Sequence, residues 1–202
     1  MQRWVKPFVF VLCLLPLVQI TYGVTIGFKV NPVEYVLREL GGWALKFLLI
    51  TLAVTPLRKF TGWAWIMPLR RMLGLYAFFY ALLHLLVFFS ADLAFSLSAL
   101  WREALRHPYI TAGLASFFIL LPLAVTSTDK MIKRLGGVRW RKLHRLVYAA
   151  AILGVLHFYW MKASKANVTE PLIYAAILAA LLLYRLADSY GFAPRLTRSR
   201  RG

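Results

Sequence analysis

Six stretches of this chain are long and apolar enough to constrain nearly everything else about it. A membrane-spanning helix needs roughly 20 mostly apolar residues. Runs of that kind fall at Pro7–Gly27, Gly41–Leu57, Leu73–Ala91, Tyr109–Ser127, Leu143–Met161 and Pro171–Asp188. A chain of 202 residues, 61% of them hydrophobic and 16% charged, has too little interior to hide that surface from water. A soluble fold and a disordered chain are both excluded. The first run follows Arg3 and Lys6, as a secretion signal would. It is longer than a signal's apolar core and no A-x-A cleavage site follows, so it reads as a retained helix.

The charge distribution orients these helices. The net charge is +18, which in a soluble protein would suggest nucleic acid. Here 18 of the 25 Lys and Arg residues fall at the N-terminus, in the loops Arg58–Arg71 and Lys130–Arg145, and in the tail from Arg185. The alternate loops carry six, namely Lys29, Arg38, Arg102, Arg106, Lys162 and Lys165, and Lys46 lies within the second span. The positive-inside rule then predicts an all-α bundle of six transmembrane helices with both termini cytoplasmic, bound to lipid and not to nucleic acid. No linker, low-complexity segment or internal repeat is visible, so residues 1–202 read as a single transmembrane domain. The short basic tail cannot hold a nucleotide-binding domain, and neither GxGxxG nor a P-loop occurs. A lone cysteine, Cys13, excludes an intrachain disulfide and a cysteine-ligated cluster.

Ionisable side chains inside a bilayer are costly and default to functional hypotheses. At 1.5 Å per helical residue, His84 lies roughly 17 Å above Leu73 and His157 roughly 21 Å above Leu143, so both reach the outer half of the membrane at similar depth. Two histidines facing each other from two helices can grip a haem. Gly154 and Ala150 on the His157 face, and Ala77 beside Tyr80 on the His84 face, leave room for a planar group or serve helix packing. His144 precedes His157 by roughly 20 Å along the axis. The positions that would pair with it, 13 and 14 residues before His84, hold Arg71 and Arg70. His144 is therefore left with three readings: a haem ligand with an unusual partner, part of a quinone or flavin site, or a headgroup residue. His107 precedes Pro108 in an outer loop and has no obvious partner.

The residues Pro68–His84, the run Gly136–Tyr148 with His157 thirteen beyond His144, Gly42–Leu45 and Thr55–Arg58 together resemble the ferric-reductase-type transmembrane domain. Within it they are most similar to the haem-binding membrane subunits of bacterial periplasmic methionine-sulfoxide reductase systems. That resemblance implies a multi-pass inner-membrane protein that passes electrons from the quinone pool through b-type haem, with FMN, to a periplasmic molybdopterin-containing reductase. The partner repairs oxidised methionines in periplasmic proteins. It implies His84, His157 and, as a third candidate, His144 as haem and metal ligands. Other members of the superfamily carry two haems on four histidines and a C-terminal flavin domain. This chain departs on both counts, which argues against direct NAD(P)H oxidation.

Arg70, Arg71, Arg139, Arg141 and Arg145 cluster near His144. Arg70, Arg71, Arg141 and Arg145 are the candidates to hold haem propionates, an FMN phosphate or an anionic lipid, since a guanidinium fork suits such groups. The alternative is plain positive-inside anchoring. Lys46 either snorkels outward or holds a propionate. No nucleophile or paired carboxylate presents itself. The expected role is thus a non-catalytic electron-transfer subunit, with quinol oxidation as its one open activity and a partner docking on the loops Phe28–Leu40, Asp92–Pro108 and Lys162–Glu170. The competing readings are a diheme ferric reductase and a His-relay proton or solute transporter.

Overall fold

In lipid a backbone must satisfy its own hydrogen bonds, so spanning segments close into helices. The computed structural model describes residues 2–27, 30–163 and 167–191, and every regular element among them is helical. Six stretches are long and apolar enough to cross a membrane: Trp4–Thr25, Pro32–Thr61, Ala64–Asp92, Pro108–Val125, Gly137–Ala163 and Thr169–Ser189. Of the cations in the topology count, Lys29, Lys165, Arg195, Arg198, Arg200 and Arg201 lie outside the described residues.

The first span is two helices, α1 (Gln2–Leu12) and α2 (Leu15–Thr25), with Pro16 at the start of the second. The Leu17 amide turns to Leu14 O at 3.0 Å, which leaves the Cys13 carbonyl without its usual helical donor. The Tyr80 hydroxyl donates to it at 2.8 Å, and the Tyr76 hydroxyl to Phe10 O at 2.9 Å. A carbonyl left bare in an apolar interior is expensive, so the break is held by α4. Tyr80→Phe should lower stability by about 0.5–1.5 kcal/mol, the net worth of one buried hydrogen bond. A drop in melting temperature with unchanged helical content checks it.

The second span, α3 (Pro32–Thr61), begins nine residues before the expected Gly41. Its polar start was invisible to hydropathy but is well capped. Asn31 Oδ1 accepts from the Glu34 amide at 3.0 Å, Pro32 opens the first turn, and Glu34 pairs with Arg38 four residues on. The third span is α4 (Leu69–Val87), which continues as a π turn over Phe88–Asp92. Two segments expected to be loops are partly helical. Between α4 and α6 (Pro108–Val125) lies α5 (Leu97–Arg106), whose Leu97, Trp101 and Leu105 form one exposed apolar stripe. The basic loop forms α7 (Asp129–Leu135) and α8 (Gly137–His144), and the chain then breaks at Arg145–Leu146 before α9 (Val147–Ala163). The last helix is α10 (Thr169–Ser189).

Two hairpins dominate the packing: α3 lies along α4, and α6 along α9, with α10 against α9 and α3. Ala77, Ala150 and Ala151 are fully buried, so these backbones approach closely. Phe47 fills the α3–α4 seam against Tyr76 and Tyr80, with ring centroids 5.7 and 5.3 Å away. The Ser116 hydroxyl ties α6 to α9 through Ala150 O at 2.9 Å. One end of the bundle gathers most of the described cations, the basic end. The other carries the starts of α3 and α6 and the end of α4, the histidine end.

Candidate functional site

At the histidine end α4 and α9 bring the His84 and His157 rings together. Their ring centroids are 6.0 Å apart and their planes stand at 80°. The similar depth expected from helical rise is what the fold delivers, although the two helices belong to different hairpins.

Each ring is held by a backbone carbonyl of the helix beside it. His84 Nδ1 lies 2.9 Å from Leu37 O on α3, and His157 Nδ1 lies 2.7 Å from Tyr109 O on α6. A carbonyl only accepts, so each Nδ1 carries the proton and each Nε2 keeps a bare lone pair. Among the described residues nothing hydrogen-bonds to either Nε2. This is the arrangement that prepares a histidine to ligate a metal, with the second nitrogen fixing tautomer and orientation.

Two glycines make these contacts possible. A Cβ on Gly41 would stand 3.2 Å from His84 Cε1 and Nδ1, and one on Gly113 would stand 2.8 Å from His157 Nδ1. Both glycines lie four residues beyond the carbonyl in question, Gly41 after Leu37 and Gly113 after Tyr109. A helical side chain covers the turn on its N-terminal side. A larger residue at either position would therefore cover the carbonyl the imidazole uses. The device of carbonyl, glycine one turn on and histidine from the next helix occurs once in each hairpin. It is an internal repeat of function, although no internal repeat was visible in the sequence. Its signal there was faint: Gly41 precedes His84 by 43 residues and Gly113 precedes His157 by 44.

Among the described residues no three His, Cys, Asp or Glu side chains converge on one point. A bare zinc-type site needs three or four protein ligands. Two neighbouring imidazoles, each with a bare Nε2, would instead suit a metal whose remaining positions a macrocycle fills. Imidazole nitrogens bond metals at about 2 Å, so two of them across one iron place the ring centroids about 6 Å apart. The observed separation fits.

The other candidates are dispersed. His144 stacks on Trp140 with centroids 3.8 Å apart. Its Nδ1 lies 3.0 Å from Trp140 O, and its Nε2 lies 3.2 Å from Leu123 O and 3.4 Å from Ser127 Oγ. Nε2 faces the end of α6 while Nδ1 faces a carbonyl of α8 itself, and a ring with one N–H donates to one of these carbonyls at a time; the helix break at Arg145–Leu146 lies between this ring and the histidine pair. His144→Ala should cost about 1–2 kcal/mol of stability through the lost stack and hydrogen bonds. Thermal unfolding of the variant measures it.

His107 has a partner after all: its Nε2 lies 3.3 Å from Glu103 Oε2, and its ring packs on Tyr109. Arg71 is paired with Asp129, and this guanidinium beside Asp129 holds the carboxyl below the usual carboxylate range. Arg139, Arg141 and Arg145 are exposed, and only Arg70 turns inward, beside Tyr148. Lys46 stands over the Trp43 ring, 4.4 Å from its centroid. The space at Gly154 is filled by ordinary contact, since a Cβ there would lie 3.6 Å from Leu45 Cδ1. Gly154, Ala150 and Ala77 thus serve helix packing.

The profile of the family described as ferric reductase like transmembrane component matches residues 40–155, which contain Gly41, His84, Gly113 and His144. Three curated relatives are similar over nearly the whole chain, and each is named protein-methionine-sulfoxide reductase heme-binding subunit MsrQ. The one from Rhodospirillum rubrum is 50% identical over 184 residues, 90% of this chain and 86% of the relative. The one from Herminiimonas arsenicoxydans is 46% identical over 183 residues, 90% and 84% of the two chains. The one from Ralstonia nicotianae is 45% identical over 185 residues, 91% and 85%.

Proposed function

We propose, for a chain that belongs to the ferric reductase-like transmembrane family, that it holds haem between His84 and His157 and carries electrons to a methionine-sulfoxide reductase. It is a multi-pass protein of the bacterial inner membrane. The observation that carries the proposal is the pair of neighbouring imidazoles with both Nδ1 atoms committed to carbonyls and both Nε2 atoms bare.

The chain's own residues have defined tasks. His84 and His157 would hold the haem iron through their Nε2 atoms, one from each hairpin. The Leu37 and Tyr109 carbonyls hold those rings in the ligating tautomer and raise their basicity. The apolar walls of α3, α4, α6 and α9 exclude water, which sets both dielectric and potential. Bound haem supplies a one-electron carrier. With the basic end cytoplasmic by the positive-inside rule, the histidine pair lies toward the periplasm. A periplasmic molybdopterin reductase would dock over the start of α3, α5 and the start of α10. Quinones in the membrane are the proposed electron source, and FMN is proposed from family likeness alone. Reduction of the methionine sulfoxide itself belongs to the partner. The engaged ring of His144 favours one haem over the diheme reading.

The deciding experiment uses protein purified in detergent with the haem reduced. Adding the partner reductase and methionine sulfoxide should reoxidise the haem, and adding ferric chelate alone should not. Protein that stays reduced with the partner but reoxidises with ferric chelate would make the ferric reductase the correct reading. Functional protein without a b-type spectrum would leave only a transporter.

A further inference from the structure

The basic end of the bundle holds an arrangement that the histidine pair does not use. Arg70, in the first turn of α4, and Arg185, near the end of α10, both approach Tyr148 on α9. Arg70 is half-buried and within electrostatic reach of both Arg185 and the Tyr148 hydroxyl. The Arg185 guanidinium stands over the Tyr148 ring, 5.9 Å from its centroid. Arg185 Nε and Nη2 are both buried with no hydrogen-bond partner. Two more buried hydroxyls at this end of the bundle are unpartnered, those of Tyr184 and Thr55.

No carboxylate answers these charges. Of the seven acids in the sequence, five lie on elements of the histidine end. At the basic end Asp129 is taken by Arg71 and Asp188 by Lys59. Two guanidinium groups within electrostatic reach of each other repel, and a buried unpaired one is strongly unfavourable. The arrangement is stable once an anion lies between them. Nε and Nη2 form the edge of a guanidinium that grips two oxygens of one oxyanion at once. With a second guanidinium and a phenol hydroxyl nearby, the donors surround a tetrahedral oxyanion of charge −1 or −2 better than a planar carboxylate. A haem propionate is too distant, since Arg70 precedes His84 by 14 residues, about 21 Å along α4.

We propose that Arg70 and Arg185, with the Tyr148 hydroxyl, form a phosphate-binding site at the basic end of the bundle. The phosphate comes from a phospholipid headgroup or from a soluble phosphorylated molecule, and one experiment separates the two. The proposal does not depend on the haem reading.

Full-length protein, purified and delipidated in detergent, is titrated with inorganic phosphate and separately with a short-chain phosphatidylglycerol while its melting temperature is followed. The wild type should show a saturable rise. Arg185→Gln should abolish it. Arg185→Lys, which keeps the charge but loses the two-pronged edge, should weaken the apparent affinity at least about tenfold. Because Arg185→Gln could fail to fold, Tyr148→Phe provides a second variant that removes one donor without a buried charge, and it should weaken the same affinity. A rise with phosphate shows that the free anion suffices. A rise with phosphatidylglycerol alone identifies the lipid headgroup as the source. The proposal is overturned if neither ligand raises the wild-type melting temperature, or if folded Arg185→Lys and Tyr148→Phe both respond as the wild type does.

Discussion

Replacing His84 or His157 by alanine should remove most of the bound haem from purified protein. In the proposed site each ring would supply one of only two imidazole nitrogens to the iron, and among the described residues no third His, Cys, Asp or Glu joins the pair. The expected record is loss of the b-type Soret and α bands in both variants, with helical content retained by circular dichroism. His144→Ala is the control, because its ring is bound to Leu123 and Trp140 and stands apart from the pair. It should keep its haem spectrum while melting earlier. If either single variant of the histidine pair kept its full haem, the axial pairing would be wrong. If His144→Ala lost all haem, the assignment of His144 to helix packing would be wrong.

The second large effect is expected from a single methyl group. Gly113→Ala places a Cβ 2.8 Å from His157 Nδ1, a ring already fixed 2.7 Å from the Tyr109 carbonyl. Something has to move, and the neighbour is a packed ring with no slack. The imidazole must swing away from its carbonyl and carry Nε2 out of line with His84. Loss of such an orienting partner typically weakens metal affinity about 10–100-fold. Gly41→Ala is the graded comparison. Its Cβ would stand 3.2 Å from the His84 ring, so a shift of a few tenths of an ångström relieves it and the loss should be smaller. Haem titration of the apoproteins measures both. Equal affinity in Gly113→Ala and the wild type would show that the glycine does not guard the ligand.

The histidine pair was legible because the membrane imposes its own ruler. Span starts can be placed from apolar runs, helical rise is fixed, and two histidines at similar heights on two spans are a sequence-level fact. What held them was not legible. The Leu37 and Tyr109 carbonyls leave no mark in side-chain chemistry, since every residue carries a carbonyl. Gly41 and Gly113 look like ordinary small residues of membrane helices until their neighbours are known. His107 looked solitary because Glu103 lies one turn back on α5, a helix hidden in a segment too polar for a span and too short for hydropathy to notice. Arg185 escaped for a related reason. It lies 115 residues from Arg70 in sequence, and only the packing of α10 against α9 brings it to the Tyr148 that Arg70 also approaches.

By itself the sequence determined that this chain lives in a bilayer as six helical spans, because no other state hides so much apolar surface from water. It also determined which two histidines stand at matching depth. The tertiary structure decided the rest: that the His84 and His157 rings stand with centroids 6.0 Å apart, which nitrogen each leaves bare, and that His144 stacks on Trp140 beside the end of α6. Those outcomes depend on which helix lies beside which and how each is rotated about its axis. Side-chain packing between hairpins far apart in sequence sets both.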